Sequence, residues 1–126
     1  TIKPRLENRA KRGNPRNLYF LYIYHMLPII EKQLERLRDL CAEHKVETLH
    51  VFGSAVTNDF TEQSDIDILI KFQDISFEEY TDFYFSLHEK LEKLFERKVD
   101  LLTERSLSNP YFIAKVEQTK KLLYAA

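Results

Sequence analysis

Asp65 and Asp67 are separated by a single isoleucine, and Gly53-Ser54 precede them with ten residues between. Residues two apart on an extended strand project to the same side, so the two carboxylates share a face. Side by side they repel, and burial raises their pKa values. A divalent cation between them reverses that cost. Mg²⁺ takes hard oxygen ligands and keeps positions open for water and substrate phosphates. Such a pair therefore suits a nucleoside triphosphate better than a closed structural metal site. Gly53-Ser54 supply the complementary half. A glycine at a strand end lets backbone approach a phosphate closely. The turn that follows presents N–H groups, and the Ser54 hydroxyl adds a hydrogen bond.

A two-metal transfer also needs a third carboxylate near the attacking hydroxyl. Asp100 is the candidate, set among Val99, Leu101 and Leu102, where an unpaired charge is costly. Taken singly, each signal has an ordinary explanation. Asp-Ile-Asp is a common tripeptide, Gly-Ser commoner still, and Asp100 could pair with Arg97 or Lys98. Together on neighbouring strands they point to one metal and triphosphate site.

The elements that must position these residues follow from periodicity. Residues 28–44 read as a helix, with Pro28 in its first turn and Ile30, Leu34, Leu37 and Cys41 on one stripe. Residues 46–52 alternate as a strand, with Val46, Thr48, His50 and Phe52 on one side and Glu47, Leu49 and Val51 on the other. A helical turn from Ser54 to about Thr57 and a polar loop over 58–64 lead to a second strand, 65–73. Ser76 and Glu79 form a capping box. It opens a helix whose stripe is Phe77, Tyr80, Tyr84, Leu87, Leu91 and Leu94. Residues 98–103 are a third strand. Pro110 opens a last helix through about Leu123, with Phe112, Val116, Thr119 and Leu123 on one face. The first two strands are too close in sequence for a crossover helix, so they are antiparallel. The strand-one end then lies beside the strand-two start, which brings Gly53-Ser54 to the aspartates. The expected class is α+β: a small mixed sheet of three or four strands with helices packed mainly on one face.

The bulk properties fit one domain of 126 residues, 44% hydrophobic and 31% charged, with no run near the roughly 18 apolar residues that span a bilayer. Cys41 is the single cysteine and falls on an apolar stripe, as a small buried hydrophobe in a reducing compartment such as the cytoplasm. The net charge of −1 divides into +5 over residues 1–25 and −6 over residues 26–126. An acidic body argues against direct nucleic-acid binding, which rests on Lys and Arg neutralising phosphates. Residues 1–25 show no clear period, and Met26 is the only methionine. Residues 1–25 are therefore read as an extraneous or poorly ordered N-terminal segment, and 26–126 as the domain. His50 is expected to pack, His25 and His44 to be exposed, and His88 has no second His or Cys at metal spacing.

The stretch GSAVTNDFTEQSDIDILIKF resembles the signature of the DNA polymerase β-like nucleotidyltransferase superfamily. More narrowly it resembles the minimal MNT-type enzymes, antitoxins paired with a HEPN-type partner. The resemblance runs from about Pro28 to Leu102; its Gly-Ser-x10-Asp-x-Asp motif is specific and its helices are not. It implies the polymerase β-like fold, Mg²⁺ held by Asp65, Asp67 and Asp100 in a two-metal site, and ATP or another nucleoside triphosphate held by Gly53 and Ser54. The implied reaction moves AMP from ATP to a hydroxyl on a partner protein, releasing pyrophosphate. One departure stands out. Many relatives carry Arg-Gly where this chain has Val56-Thr57, so a cation facing the triphosphate is missing there. Lys71, Lys98 or a partner's side chain are the substitutes considered. Two other readings stay open: a nucleotide-binding antitoxin that acts by contact alone, and a small-molecule adenylyltransferase of the aminoglycoside kind. For the last, a chain this short would need a homodimer or partner to supply the acceptor site.

Overall fold

Strand β1 (Val46–Phe52) is flanked on both sides, and the rest of the sheet is built outward from it. The computed structural model describes residues 28–56 and 63–126. The basic segment 1–25, Met26 and His25 lie outside the described residues, as does most of the 58–64 loop. Strand β2 (Ile66–Phe72) pairs antiparallel with β1, as the short connection requires. Strand β3 (Val99–Thr103) pairs parallel with β2, and strand β4 (Lys121–Ala125) pairs antiparallel with β1. The order is β3-β2-β1-β4. Among the described residues four helices accompany the sheet: α1 (Pro28–Lys32), α2 (Leu34–Glu43), α3 (Phe77–Phe95) and α4 (Pro110–Thr119). This is the expected mixed α+β architecture.

One sheet face carries Leu49, Val51, Ile66, Ile68, Ile70, Val99 and Leu101. It packs against Leu37, Leu40 and Cys41 of α2 and Leu87, Leu91 and Phe95 of α3. Burying these branched side chains supplies the main drive to fold, at about 25 cal/mol for each Å² of apolar surface removed from water. The other face is covered more thinly. Val116 of α4 packs there on Phe52 and Leu69, with Leu102 and Leu107 beside them. Among the described residues no helix is long and apolar enough to cross a membrane.

Several expectations are corrected. The last helix ends at Thr119, and Lys121–Ala125 is a strand. Lys120 turns extended at φ −62°, ψ 141°, and the open edge of β1 takes up the chain, so tertiary pairing overrides a helical period that continues to Leu123. The first helix is interrupted at Gln33, whose N–H bonds back three residues to Ile30 O at 3.1 Å. The alternation of β1 breaks at a bulge between Val46 and Thr48, which puts Val46 in the same core as Leu49 and Val51. The capping box of α3 is present, Glu79 N–H donating to Ser76 Oγ at 3.2 Å and Ser76 N–H to Glu79 Oε2 at 3.1 Å. Its stripe holds from Tyr84 through Leu87 and Leu91 to Leu94, but Phe77 at its start is 80% exposed and Phe95 also enters the core. His44, expected at the surface, is only 3% exposed. Its ring contacts Leu40 O at 2.7 Å and Ser86 Oγ at 3.0 Å, which satisfies both nitrogens in a buried place.

Candidate active site

The thinly covered sheet face carries the candidate chemistry. Asp67 of β2 lies in register with Phe52 of β1 on one side and with Asp100 of β3 on the other. Parallel register partners project to one face, so Asp67 and Asp100 are neighbours there. Asp65 sits one residue before β2 and is exposed. Two contacts hold that approach. Arg97 Nη1 donates to Ser64 O at 3.0 Å, and Ile66 N–H donates to Lys98 O at 3.1 Å. Burial, then the charge of Asp100, then that of Asp65 push the Asp67 carboxyl up to about 6. Lys115 of α4 pulls the other way. The three carboxylates expected from the sequence thus act on one another. Among the described residues no three His, Cys, Asp or Glu side chains already stand close enough to hold a metal ion. The set is a convergence of charge rather than a preformed cluster.

Gly53 and Ser54 open a 3-10 turn, Gly53–Val56, directly after β1, close to the expected position. Gly53 has φ +69°, in the left-handed region that side chains disfavour. A Cβ there would overlap Asp67 Oδ2. The glycine therefore serves the carboxylate as much as any phosphate. Its N–H is directed to Thr119 Oγ1 of α4 at 3.3 Å. Ser54 is half-buried in the same turn.

Sequence reasoning placed Phe112, Val116 and Thr119 on one helix face but gave them no part in the site. The structure brings that face over the end of β1. Phe112 meets Phe52 edge-on with ring centroids 6.0 Å apart, and Thr119 reaches Gly53. Lys115 belongs to the same flank, and its spacing from Phe112 and Thr119 was the available signal. Lys71, considered as a cation for the site, instead pairs with Glu47 at 3.2 Å. His50 is half-buried, and burial, then Lys120, lower its pKa. His88 contacts Val99 O at 2.8 Å. Both histidines read as packed side chains. Cys41 is buried, and desolvation pushes its thiol up to about 12, which leaves it inert.

Comparison with known proteins bears on the fold and the family. Residues 35–126 match the family model "Polymerase beta, Nucleotidyltransferase". "Putative protein adenylyltransferase MJ1379" of Methanocaldococcus jannaschii is 37% identical over 90 residues, spanning 71% of this chain and 86% of the relative. The solved "Structure of putative minimal nucleotidyltransferase" is 27% identical, with a TM-score of 0.57 over 75% of this chain and 93% of its own. A chain from the complex described as "tri-AMPylated Shewanella oneidensis HEPN toxin in complex with MNT antitoxin" shares the fold at 23% identity. Its TM-score is 0.54, over 76% of this chain and 72% of that one.

Proposed function

The chain belongs to the polymerase beta nucleotidyltransferase family, and from that membership we propose that it moves AMP from ATP to a hydroxyl on a HEPN-type partner protein, as the antitoxin of the pair. The observation that carries this reading is the register pairing of Asp67 with Asp100, with Gly53 against Asp67 at the same end of the sheet. The name of the curated relative and the AMP-bearing toxin of the Shewanella oneidensis complex support the choice of AMP and of a protein acceptor.

Asp65, Asp67 and Asp100 offer only hard oxygen donors. Burial first, then the charges of Asp100 and Asp65, push the Asp67 carboxyl up, and a divalent cation would offset both costs, so on that ground the residues fit Mg²⁺. When bound, Mg²⁺ supplies charge neutralisation for the α-phosphate and the departing pyrophosphate. The chain's own residues do the rest. Gly53 leaves room for the Asp67 carboxylate, and the Ser54 hydroxyl offers a hydrogen bond to a phosphate oxygen. Asp100, exposed on the shared face, takes the proton of the attacking hydroxyl. The acceptor oxygen bonds to the α-phosphorus. The bond from that phosphorus to its bridging oxygen breaks, and pyrophosphate leaves with the electron pair. ATP, Mg²⁺ and an unpaired Cys41 suit the cytoplasm as the place of action.

The test is transfer of label from α-³²P-ATP, with Mg²⁺, to a purified HEPN-type protein mixed with this chain. Label on that protein, lost in Asp65→Ala/Asp67→Ala, is the expected result. Labelling that persists in the double variant overturns the site assignment. A second reading, neutralisation by contact alone, is favoured by Val56-Thr57 standing in the sequence where many relatives carry Arg-Gly and by the engagement of the Gly53 N–H with Thr119. A double variant that no longer transfers AMP yet still neutralises the partner's toxicity selects that reading.

A further inference from the structure

We propose that Lys115 of α4 is the cationic arm that binds the triphosphate in this chain, a role for which the turn Gly53–Val56 supplies no side chain. The proposal rests on the nucleotidyltransferase reading above and assigns one of its binding residues. A triphosphate brings several negative charges to a face that already holds Asp67 and Asp100, with Asp65 beside it. Charge development at the leaving phosphates favours a fixed cation in addition to metal.

The nearby cations separate by geometry. Lys71 lies four residues along β2 from Asp67, about 13 Å at strand rise, and is paired with Glu47. Arg97 donates to the Ser64 carbonyl. Lys120 pairs with Glu117 at 2.9 Å, on the flank of α4 that faces His50. Lys98 precedes β3, two residues before Asp100. Lys115 is exposed and makes no salt bridge among the described residues. Three contacts fix its flank of α4. Phe112 meets Phe52, the register partner of Asp67. Val116 packs on Phe52 and Leu69. The Thr119 hydroxyl accepts the Gly53 N–H. Lys115 follows Phe112 by three residues and precedes Thr119 by four, so it shares their side of the helix. The start of α4 is held as well, Asn109 Oδ1 accepting the N–H of Tyr111 at 2.9 Å and of Phe112 at 3.3 Å. The result is an ammonium on a long stem, carried by an anchored helix beside the carboxylates.

The experiment measures competition by a non-hydrolysable ATP analogue, and separately by AMP, against a fluorescent ATP analogue with Mg²⁺ present. The full-length wild type is compared with Lys115→Ala, Lys115→Arg and Lys98→Ala. Lys115→Ala should weaken the triphosphate at least tenfold and AMP less than threefold. Lys115→Arg should stay within threefold of wild type for both ligands, and so should Lys98→Ala. An unchanged melting temperature shows that exposed Lys115 is not needed for folding. Equal weakening of both ligands by Lys115→Ala, or a larger differential loss in Lys98→Ala, overturns the proposal alone. A wild type that binds no triphosphate overturns it together with the nucleotidyltransferase reading.

Discussion

Asp67 occupies the space that a side chain on Gly53 would fill, and Gly53 also holds a left-handed φ of +69°. Two separate constraints thus fall on one residue, and both bear on the carboxylate. Gly53→Ala must strain the backbone and push Asp67 off the shared face. The expected cost is about 1–3 kcal/mol of stability, read by urea unfolding. Transfer of label to the partner should fall more than tenfold. A variant that folds and transfers normally would show that Asp67 tolerates displacement.

The ionisation of Asp67 makes stability depend on pH. Its carboxyl is pushed up to about 6 from the ordinary 3.8, by burial first, then by Asp100 and Asp65. Between those values the folded state binds more protons than the unfolded one, so stability falls as pH rises through the window. The metal-free protein should lose about 1–2 kcal/mol between pH 4 and pH 6.5, a figure reduced for the solvent screening of a half-buried group. Asp67→Asn should flatten that slope and exceed wild type in stability at pH 7.5. Mg²⁺ should raise the wild type at pH 7.5 more than the variant. Urea titrations across pH, with and without Mg²⁺, measure both effects, and parallel slopes would count against the burial of Asp67.

The carboxylates were legible in the sequence because their signal is local. Two aspartates one residue apart on a strand, and a glycine at the end of the preceding strand, carry their geometry with them. Asp100 was legible as a charge inside an apolar run, though its register with Asp67 comes from the parallel pairing of β2 and β3. What escaped depends on distant packing. Leu123 continues the period of Phe112, Val116 and Thr119, and only the vacant edge of β1 makes it a strand residue. His44 looks like a surface residue at a helix end until Ser86 of α3 meets its ring. Lys115 carries only its helical spacing from Phe112 and Thr119, and an exposed lysine on a helix acquires meaning from what the helix covers.

The exposed start of the α3 stripe predicts unequal costs for two large apolar residues. Leu91 is fully buried against the sheet, whereas Phe77 is 80% exposed. Leu91→Ala removes packed methyl groups and leaves a cavity, a loss of about 2–5 kcal/mol. Phe77→Ala should stay within about 0.5 kcal/mol of wild type. Thermal and urea unfolding of the two variants check this, and comparable losses would restore Phe77 to the core.

Strand β4 predicts a role for the last six residues that a frayed helix end would not have. Thr48, Leu49, His50 and Val51 of β1 pair with Ala125, Tyr124, Leu122 and Lys121, and Ala126 N–H donates to Glu47 O at 2.8 Å. Leu123 and Tyr124 also pack against the main core. Ending the chain after Lys120 removes those bonds and that apolar surface, and turns β1 from an inner strand into an edge. Unpaired edges of apolar strands invite pairing with a second chain. The truncated protein should lose about 2–4 kcal/mol of stability and self-associate as its concentration rises. Urea unfolding and sedimentation velocity, each at several concentrations, follow the two effects. A helix running through Leu123 would lose only a terminal turn, costing less than about 1 kcal/mol. A monomeric truncation near wild-type stability would therefore place residues 121–126 outside the sheet.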